Sequence, residues 1–222
     1  IGKQVAEDLA NLGAHVIITG TKEPKEKVHQ NIQFVSANFL DDASTENFLN
    51  MISKESFDVC VNNAGINRID PFCDVKLEDW NDIIKVNLTA PFRVQQAVCP
   101  SMVRRKYGRV VNIASVWSEI STPKRASYSS SKFGIRGLTL ASAAELAQHN
   151  VLINAVSPGF TLTDLTRDVL GPERMQEISE MIPMRRMAEV DEISRVILFV
   201  SSRWNSYISG QNIIADGGFV NI

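Results

Sequence analysis

Along the chain, short β-branched apolar runs alternate with longer stretches in which apolar residues recur at every third or fourth position. That alternation predicts parallel strands joined by amphipathic helices. The strand-like runs are 15–19 (HVIIT), 33–35 (QFV), 57–61 (FDVCV), 110–114 (VVNIA), 151–156 (VLINAV) and 211–215 (QNIIA). Between them, Val5, Ala6, Leu9, Ala10 and Leu12 share one helical face that Gly13 closes. Phe48, Leu49, Met51 and Ile52 share another, capped by Asp41 or Asp42. Leu77 to Met102 reads as a long helical region interrupted at Pro91 and Pro100. A further helix carries Tyr128 and runs past Glu145, and a last one covers 192–202. The expectation is one α/β domain over 1–222, a doubly wound parallel sheet with helices on both faces. The 161–187 segment has weak periodicity and contains Pro172 and Pro183; it reads as a substrate-side flap within that domain.

Two places in the pattern look incomplete. A nucleotide-binding α/β unit opens with a strand, a glycine turn and then a helix. Here Ile1-Gly2-Lys3 leads straight into the helix, so roughly fifteen residues of strand and turn are expected ahead of it. The connection 22–31 is polar, contains Pro24, and is shorter than a helix-bearing crossover. It is either clipped or lacking residues.

Composition narrows the function. Of 222 residues, 44% are hydrophobic and 22% charged, as in a soluble protein with one good core. The net charge of −2 and the absence of a basic stripe argue against a nucleic-acid partner. No apolar run reaches the ~18 residues of a membrane span. Cys60, Cys73 and Cys99 are an odd number in no ligand-like spacing, and His15, His29 and His149 are scattered. No metal site is expected, and a reduced, cytoplasmic protein is.

The chemistry concentrates in 112–132 (NIASVWSEISTPKRASYSSSK). Ser115 stands where a strand ends, and ligands of open α/β sheets bind at the carboxyl ends of strands. Tyr128 and Lys132 are four residues apart and share one helical face. A phenol with a pKa of about 10 is a poor base at neutral pH. A neighbouring ammonium favours the phenolate and lowers that pKa. Ser115 can hydrogen-bond the same oxygen. Such a trio interconverts a carbonyl and an alcohol when a hydride carrier lies beside it. Taken alone, Y-x-x-x-K is a weak motif, and more often a half-buried ring beside a solvated cation.

Other strand ends add to it. At Gly20-Thr21-Lys22 no carboxylate stands to repel a ribose 2′-phosphate, which favours NADP(H), with NAD(H) as the alternative. Asn62-Asn63-Ala64-Gly65 follows the third run and lets backbone approach a ligand closely. Asn87 lies among Ile83, Ile84, Val86 and Leu88, and is either structural or holds a helix bend open to a water.

Together these residues resemble the short-chain dehydrogenase/reductase family, nearest its 3-oxoacyl-[acyl-carrier-protein] reductase branch. The resemblance rests on Ile1-Gly2 as the tail of a T-G-x-x-x-G-I-G turn, Asn62-Asn63-Ala64-Gly65, and Asn87 in V-N-L. It continues with Ser115 thirteen residues before Tyr128, then Lys132, Pro158-Gly159 with Thr163, and Ser209-Gly210 before Asp216-Gly217-Gly218. It implies a Rossmann-like fold and a catalytic set of Asn87, Ser115, Tyr128 and Lys132. Tyr128 would be the general acid in reduction and the base in oxidation. Lys132 would tune it and hold the nicotinamide ribose, and Asn87 would hold a relay water. The cofactor would meet Gly2 at the pyrophosphate, Thr21, Asn38 and Phe39 near the adenine, and Asn63, Ala64 and Gly65 along the adenine and ribose. Pro158, Gly159 and Thr163 would meet its nicotinamide end. Ser115, Trp117 and Tyr128 would face the substrate. A homotetramer or homodimer built on the Leu77–Met102 and Tyr128 helices is implied, with a substrate that acyl carrier protein can deliver.

There are departures. The arginines that the branch carries near the cleft mouth match Lys106 and His149 here, with Arg104 and Arg105 nearby. Trp117, Glu119 and Lys124 are bulkier and more charged than a thin acyl chain needs, so a sugar, a polyol or another polar hydroxy compound is the competing substrate. A non-catalytic nucleotide-binding scaffold would show a damaged catalytic set, whereas all four residues are present. A serine hydrolase using Ser115 with His149 lacks the G-x-S-x-G elbow.

Overall fold

The computed structural model describes residues 1–24, 28–163, 166–167 and 170–221. Helices α1 (Gly2–Asn11), α2 (Asp42–Ile52), α3 (Leu77–Ile84), α4 (Ala90–Arg105), α5 (Ala126–Leu146), α6 (Pro172–Met181) and α7 (Val190–Ser201) alternate with strands. The strands are β1 (Val16–Gly20), β2 (Ile32–Ser36), β3 (Val59–Asn62), β4 (Gly108–Ile113), β5 (Val151–Pro158) and β6 (Asn212–Ala215). Every pairing is parallel. The expected continuous sheet is found in two pieces among the described residues: β1 pairs β2, and β3-β4-β5-β6 pair in that order.

Strands β4 and β5 are buried along their whole length, which is why they read as unbroken apolar runs. Alternation still sorts their side chains. Val110, Val151 and Ile153 face α2 and α4, meeting Phe48, Leu49, Ile52, Val94, Val98 and Met102. Val111, Ile113 and Val156 face the other way, onto Val5 of α1 and Ile193, Ile197 and Val200 of α7. Each such side chain withdrawn from water contributes about 1.5–3 kcal/mol. Helices thus cover both faces, and every carboxyl strand end opens on one edge.

Several sequence expectations are corrected. Leu12 lies past the end of α1 and is 75% exposed, so it is not part of the buried face. The helical region 77–105 is broken at neither proline. Pro91 opens α4 and Pro100 lies inside it, while the break is a π-turn, Lys85–Thr89, that contains Asn87. Pro91 has no N–H to give the carbonyl of Asn87 four residues earlier, and widening the turn accommodates that loss. Positions 25–27 of the short connection, and 164–165 and 168–169 of the expected flap, lie outside the described residues. The rest of the flap segment holds α6 and an apolar cluster of Ile178, Ile182 and Met187 that packs against Phe160 and Phe219. No helix among the described residues is long and apolar enough to cross a membrane.

Candidate active site

Ser115 caps a one-turn 3-10 helix, Val116–Ser118, just beyond β4, and its Oγ accepts a 3.3 Å hydrogen bond from the Trp117 N–H. The side chain is buried and hydrogen-bonds the Tyr128 phenol. One turn along α5, the Lys132 ammonium lies 5.6 Å from the centre of the Tyr128 ring and donates to the Ile113 carbonyl at 2.8 Å. The three groups foreseen from spacing therefore meet at the carboxyl end of β4.

The electrostatics differ from the expectation. Burial pushes the Tyr128 phenol above its usual value; the hydrogen bond from Ser115 and the charge of Arg125 oppose this without overcoming it. The Lys132 ammonium is turned to a main-chain oxygen and is itself desolvated. The phenol stays protonated at neutral pH, the form that gives a proton to a carbonyl oxygen. Burial drops Lys132 to about 8 from 10.5. The folded chain then releases this proton before the unfolded chain does, so the Lys132 contribution to stability rises with pH between about 8 and 10.5. We expect urea-unfolding free energy to gain up to ~3 kcal/mol from this source across that window. Tyr128 acts oppositely only above about pH 10, where an ordinary phenol titrates. In Lys132→Met the rise between about pH 7.5 and 9.5 is absent; an equal rise in both proteins would assign it elsewhere.

Asn87 is 1% exposed, and its amide is fully engaged. Its Oδ1 accepts from the Ile66 N–H at 2.8 Å; its Nδ2 donates to the Ile66 carbonyl at 2.9 Å and to Ser131 Oγ at 3.0 Å. Ser131 in turn donates to the Tyr128 carbonyl at 2.7 Å. The side chain is a clamp between the loop after β3 and the helix of Tyr128. A water relayed from here would need the Asn87 carbonyl, which Pro91 leaves without its α-helical donor.

The cofactor candidates lie along the same edge. Thr21 follows β1; Asn38 and Phe39 follow β2; Asn63, Ala64 and Gly65 follow β3; Pro158 ends β5 and Gly159 and Thr163 come after it. Gly2 opens α1 against Asn63, whose Nδ2 would lie 2.5 Å from an added Cβ. A Cβ on Gly65 would sit 3.5 Å from Asn87 Oδ1 and 3.6 Å from Lys132 Nζ, so a bare backbone borders the catalytic groups. Phe39 packs edge-on against Phe48 at 5.9 Å, and Asn38 accepts from the Leu40 N–H. Gly159 has a stricter reason: an added Cβ would be 2.7 Å from the Asp216 Cα, a backbone atom. Gly159→Ala should destabilise the chain by about 1–3 kcal/mol through this overlap, read as a lower urea midpoint; an unchanged midpoint would show that 216–218 yields freely.

Some residues at the site escaped the sequence reading. Asn112, fully buried in β4, accepts from Asn62 at 2.8 Å and Gln95 at 3.3 Å and donates to Thr139 at 2.9 Å, joining two strands and two helices. Ser118 donates to the Ser115 carbonyl at 2.7 Å and shares a 3.0 Å hydrogen bond with Ser157, which donates to Asn212. The available signal was a lone amide inside the apolar run VVNIA. Glu119, expected on the substrate side, instead accepts from Asn212 at 2.7 Å and Arg136 at 2.8 Å. Lys106 and the neighbour of His149, Asn150, meet at the amino ends of β4 and β5, opposite the Ser115 edge. Within this chain they do not border the cleft.

A parallel α/β sheet with a serine, a tyrosine and a lysine converging at its carboxyl edge suits the interconversion of a carbonyl and an alcohol beside a hydride carrier. Residues 1–220 match the family model described as enoyl-(acyl carrier protein) reductase, and the chain belongs to the short-chain dehydrogenase/reductase family. It is 39% identical to the 3-oxoacyl-[acyl-carrier-protein] reductase FabG of Aquifex aeolicus, over 98% of this chain and 92% of that protein. Among solved structures, ElxO with NADP bound superposes with a TM-score of 0.92 at 29% identity, covering all of this chain and 94% of that one. The gluconate 5-dehydrogenase of Burkholderia cenocepacia in complex with NADP and tartrate gives 0.88 at 27%, covering all of this chain and 91% of that one. The chain is an NAD(P)-dependent oxidoreductase of this family.

Proposed function

We propose that the chain reduces 3-oxoacyl thioesters to secondary alcohols with NADP(H), taking its substrate from acyl carrier protein. One observation carries this: the Ser115–Tyr128–Lys132 cluster occurs in a chain 39% identical to a 3-oxoacyl-[acyl-carrier-protein] reductase along nearly its whole length. Ser115 orients the carbonyl, and the protonated Tyr128 phenol gives its proton to the developing alkoxide. Asn87 keeps the loop after β3 in register with Tyr128. The glycine-bordered strand ends suit a dinucleotide: Gly2, Thr21, Asn38, Phe39, Asn63, Ala64 and Gly65 would hold its adenosine and phosphates, and Lys132, Pro158, Gly159 and Thr163 its nicotinamide half. That group supplies the hydride when bound. Phe92 on α4 and Phe133 and Leu140 on α5 are exposed apolar residues on the helices through which a homotetramer would form. Light scattering of a purified sample at the mass of one chain would remove that assembly.

The second reading is oxidation of a sugar acid or polyol, supported by the likeness to the gluconate 5-dehydrogenase. The engagement of Glu119 by Arg136 and Asn212 weakens it, since that carboxylate is not open to a polar substrate. Steady-state assays with acetoacetyl-CoA and NADPH, and with gluconate and NADP, separate the two. No turnover of the thioester ends the first reading. A cofactor titration checks the Gly20-Thr21-Lys22 argument, with NADPH expected to bind at least about tenfold tighter than NADH, because only the phosphate-bearing cofactor gains a charged contact there.

A further inference from the structure

The loops that leave β4, β5 and β6 each carry one aromatic ring to a common point. Trp117 stands two residues after Ser115, Phe160 directly after Gly159, and Phe219 in the one-turn helix Phe219–Asn221. The rings meet edge to face: Trp117–Phe160 at 6.3 Å, Trp117–Phe219 at 6.3 Å and Phe160–Phe219 at 5.3 Å. None of the three is fully buried, unlike the core valines of β4 and β5. The trio therefore leaves aromatic surface open at the carboxyl edge of the sheet, beside Ser115.

Its placement is built rather than incidental. The Asp216 carboxylate accepts from the Gly218 N–H at 2.9 Å and the Val220 N–H at 2.8 Å. Gly217 (φ 65°) and Gly218 (φ 93°) turn the chain back through a conformation that side chains disfavour. The Met184 N–H donates to the Gly217 carbonyl at 3.2 Å, and Phe160 and Phe219 pack against the Ile178–Ile182–Met187 cluster. Phe219 is thus held from two sides, by the end of β6 and by the segment that follows α6. On the turn that carries Trp117, the charged side chain, Glu119, points to Arg136 and Asn212.

We propose that Trp117, Phe160 and Phe219 form the wall along which the acyl chain of the substrate lies, and that Phe219 sets the chain-length preference. This rests on the thioester-reductase reading. A short acetoacetyl group ends near Ser115 and Tyr128, whereas a medium-length chain must lie on apolar surface, which the three rings supply.

The test compares acetoacetyl-CoA with 3-oxooctanoyl-CoA in the wild type, Phe219→Ala and Phe219→Leu, each saturated with NADPH. In Phe219→Ala, kcat/KM for the longer substrate should fall roughly tenfold or more, through KM, while that for acetoacetyl-CoA stays within about twofold. Phe219→Leu keeps an apolar side chain against the Ile178–Ile182–Met187 cluster and should lie between the two. It also separates loss of the wall from loss of the turn, because a misfolded turn lowers both substrates together in both variants. A wild type active on thioesters whose chain-length ratio is unchanged in Phe219→Ala overturns the wall alone. A wild type inactive on every thioester but active on gluconate overturns the reductase reading, and the wall with it.

Discussion

Replacing Tyr128 with phenylalanine should lower kcat by roughly a thousandfold while NADPH binds within about twofold of the wild type. The change removes one oxygen. It leaves the ring, its 5.6 Å approach to Lys132 and the backbone bonds of α5 in place. On the proposed mechanism the proton donor is lost, and among the described residues no other side chain at the edge stands in for it. Ser115 has an ordinary hydroxyl, which is far weaker as an acid than a phenol. The Lys132 ammonium, though brought to about 8, is turned to the Ile113 carbonyl at 2.8 Å. Single-turnover hydride transfer with a saturating carbonyl substrate, together with a fluorescence titration of NADPH, gives both halves of the result. Turnover within tenfold of the wild type would sink the assignment of Tyr128 as the proton donor.

The second large effect is on stability. Asn87→Leu should lower the unfolding free energy by about 3 kcal/mol or more and abolish most activity with it. Leucine fills the space but leaves the half-buried Ile66 N–H and carbonyl without their side-chain partner. Each orphaned buried group costs about 1–3 kcal/mol. Ser131 loses one partner but keeps its bond to the Tyr128 carbonyl. Urea unfolding followed by circular dichroism reads the loss, and a change below about 1 kcal/mol would show that the loop after β3 repacks without the clamp. Asn87→Asp is the finer probe, because it keeps the acceptor for the Ile66 N–H and removes only the donors.

Much of this site could be read from residue spacing because helices and parallel strands have fixed periods. Four residues make one turn, so Tyr128 and Lys132 had to share a face. A strand that ends in Ile113-Ala114 had to deliver Ser115 to the carboxyl edge. Strands β4 and β5 were legible for the same reason: buried on both faces, they show continuous apolar runs. The misses arise where tertiary contacts outweigh local rules. Prolines 91 and 100 looked like breaks, yet the chain absorbed them at the helix start and inside a well-packed helix, and moved the irregularity to Asn87. Leu12 fits the helical repeat but falls past the last turn. Glu119 has the composition of a substrate contact; only the fold brings Arg136 and Asn212 to it. The phenol's acidity was misjudged for a similar reason, since spacing gives the distance to an ammonium but not its burial or the main-chain oxygen it prefers.

The turn bearing Ser115 is anchored from behind. Ser118 donates to its main chain at the Ser115 carbonyl, and Ser157 and Asn212 brace Ser118 in turn through side-chain bonds of 2.7 to 3.0 Å; none of these needs the Ser115 hydroxyl. Erasing that hydroxyl in Ser115→Ala removes the cap on the Trp117 N–H but leaves the Ser118 bond to the Ser115 carbonyl in place. A catalytic deficit in that variant therefore reads the missing oxygen together with whatever shift the uncapped turn takes.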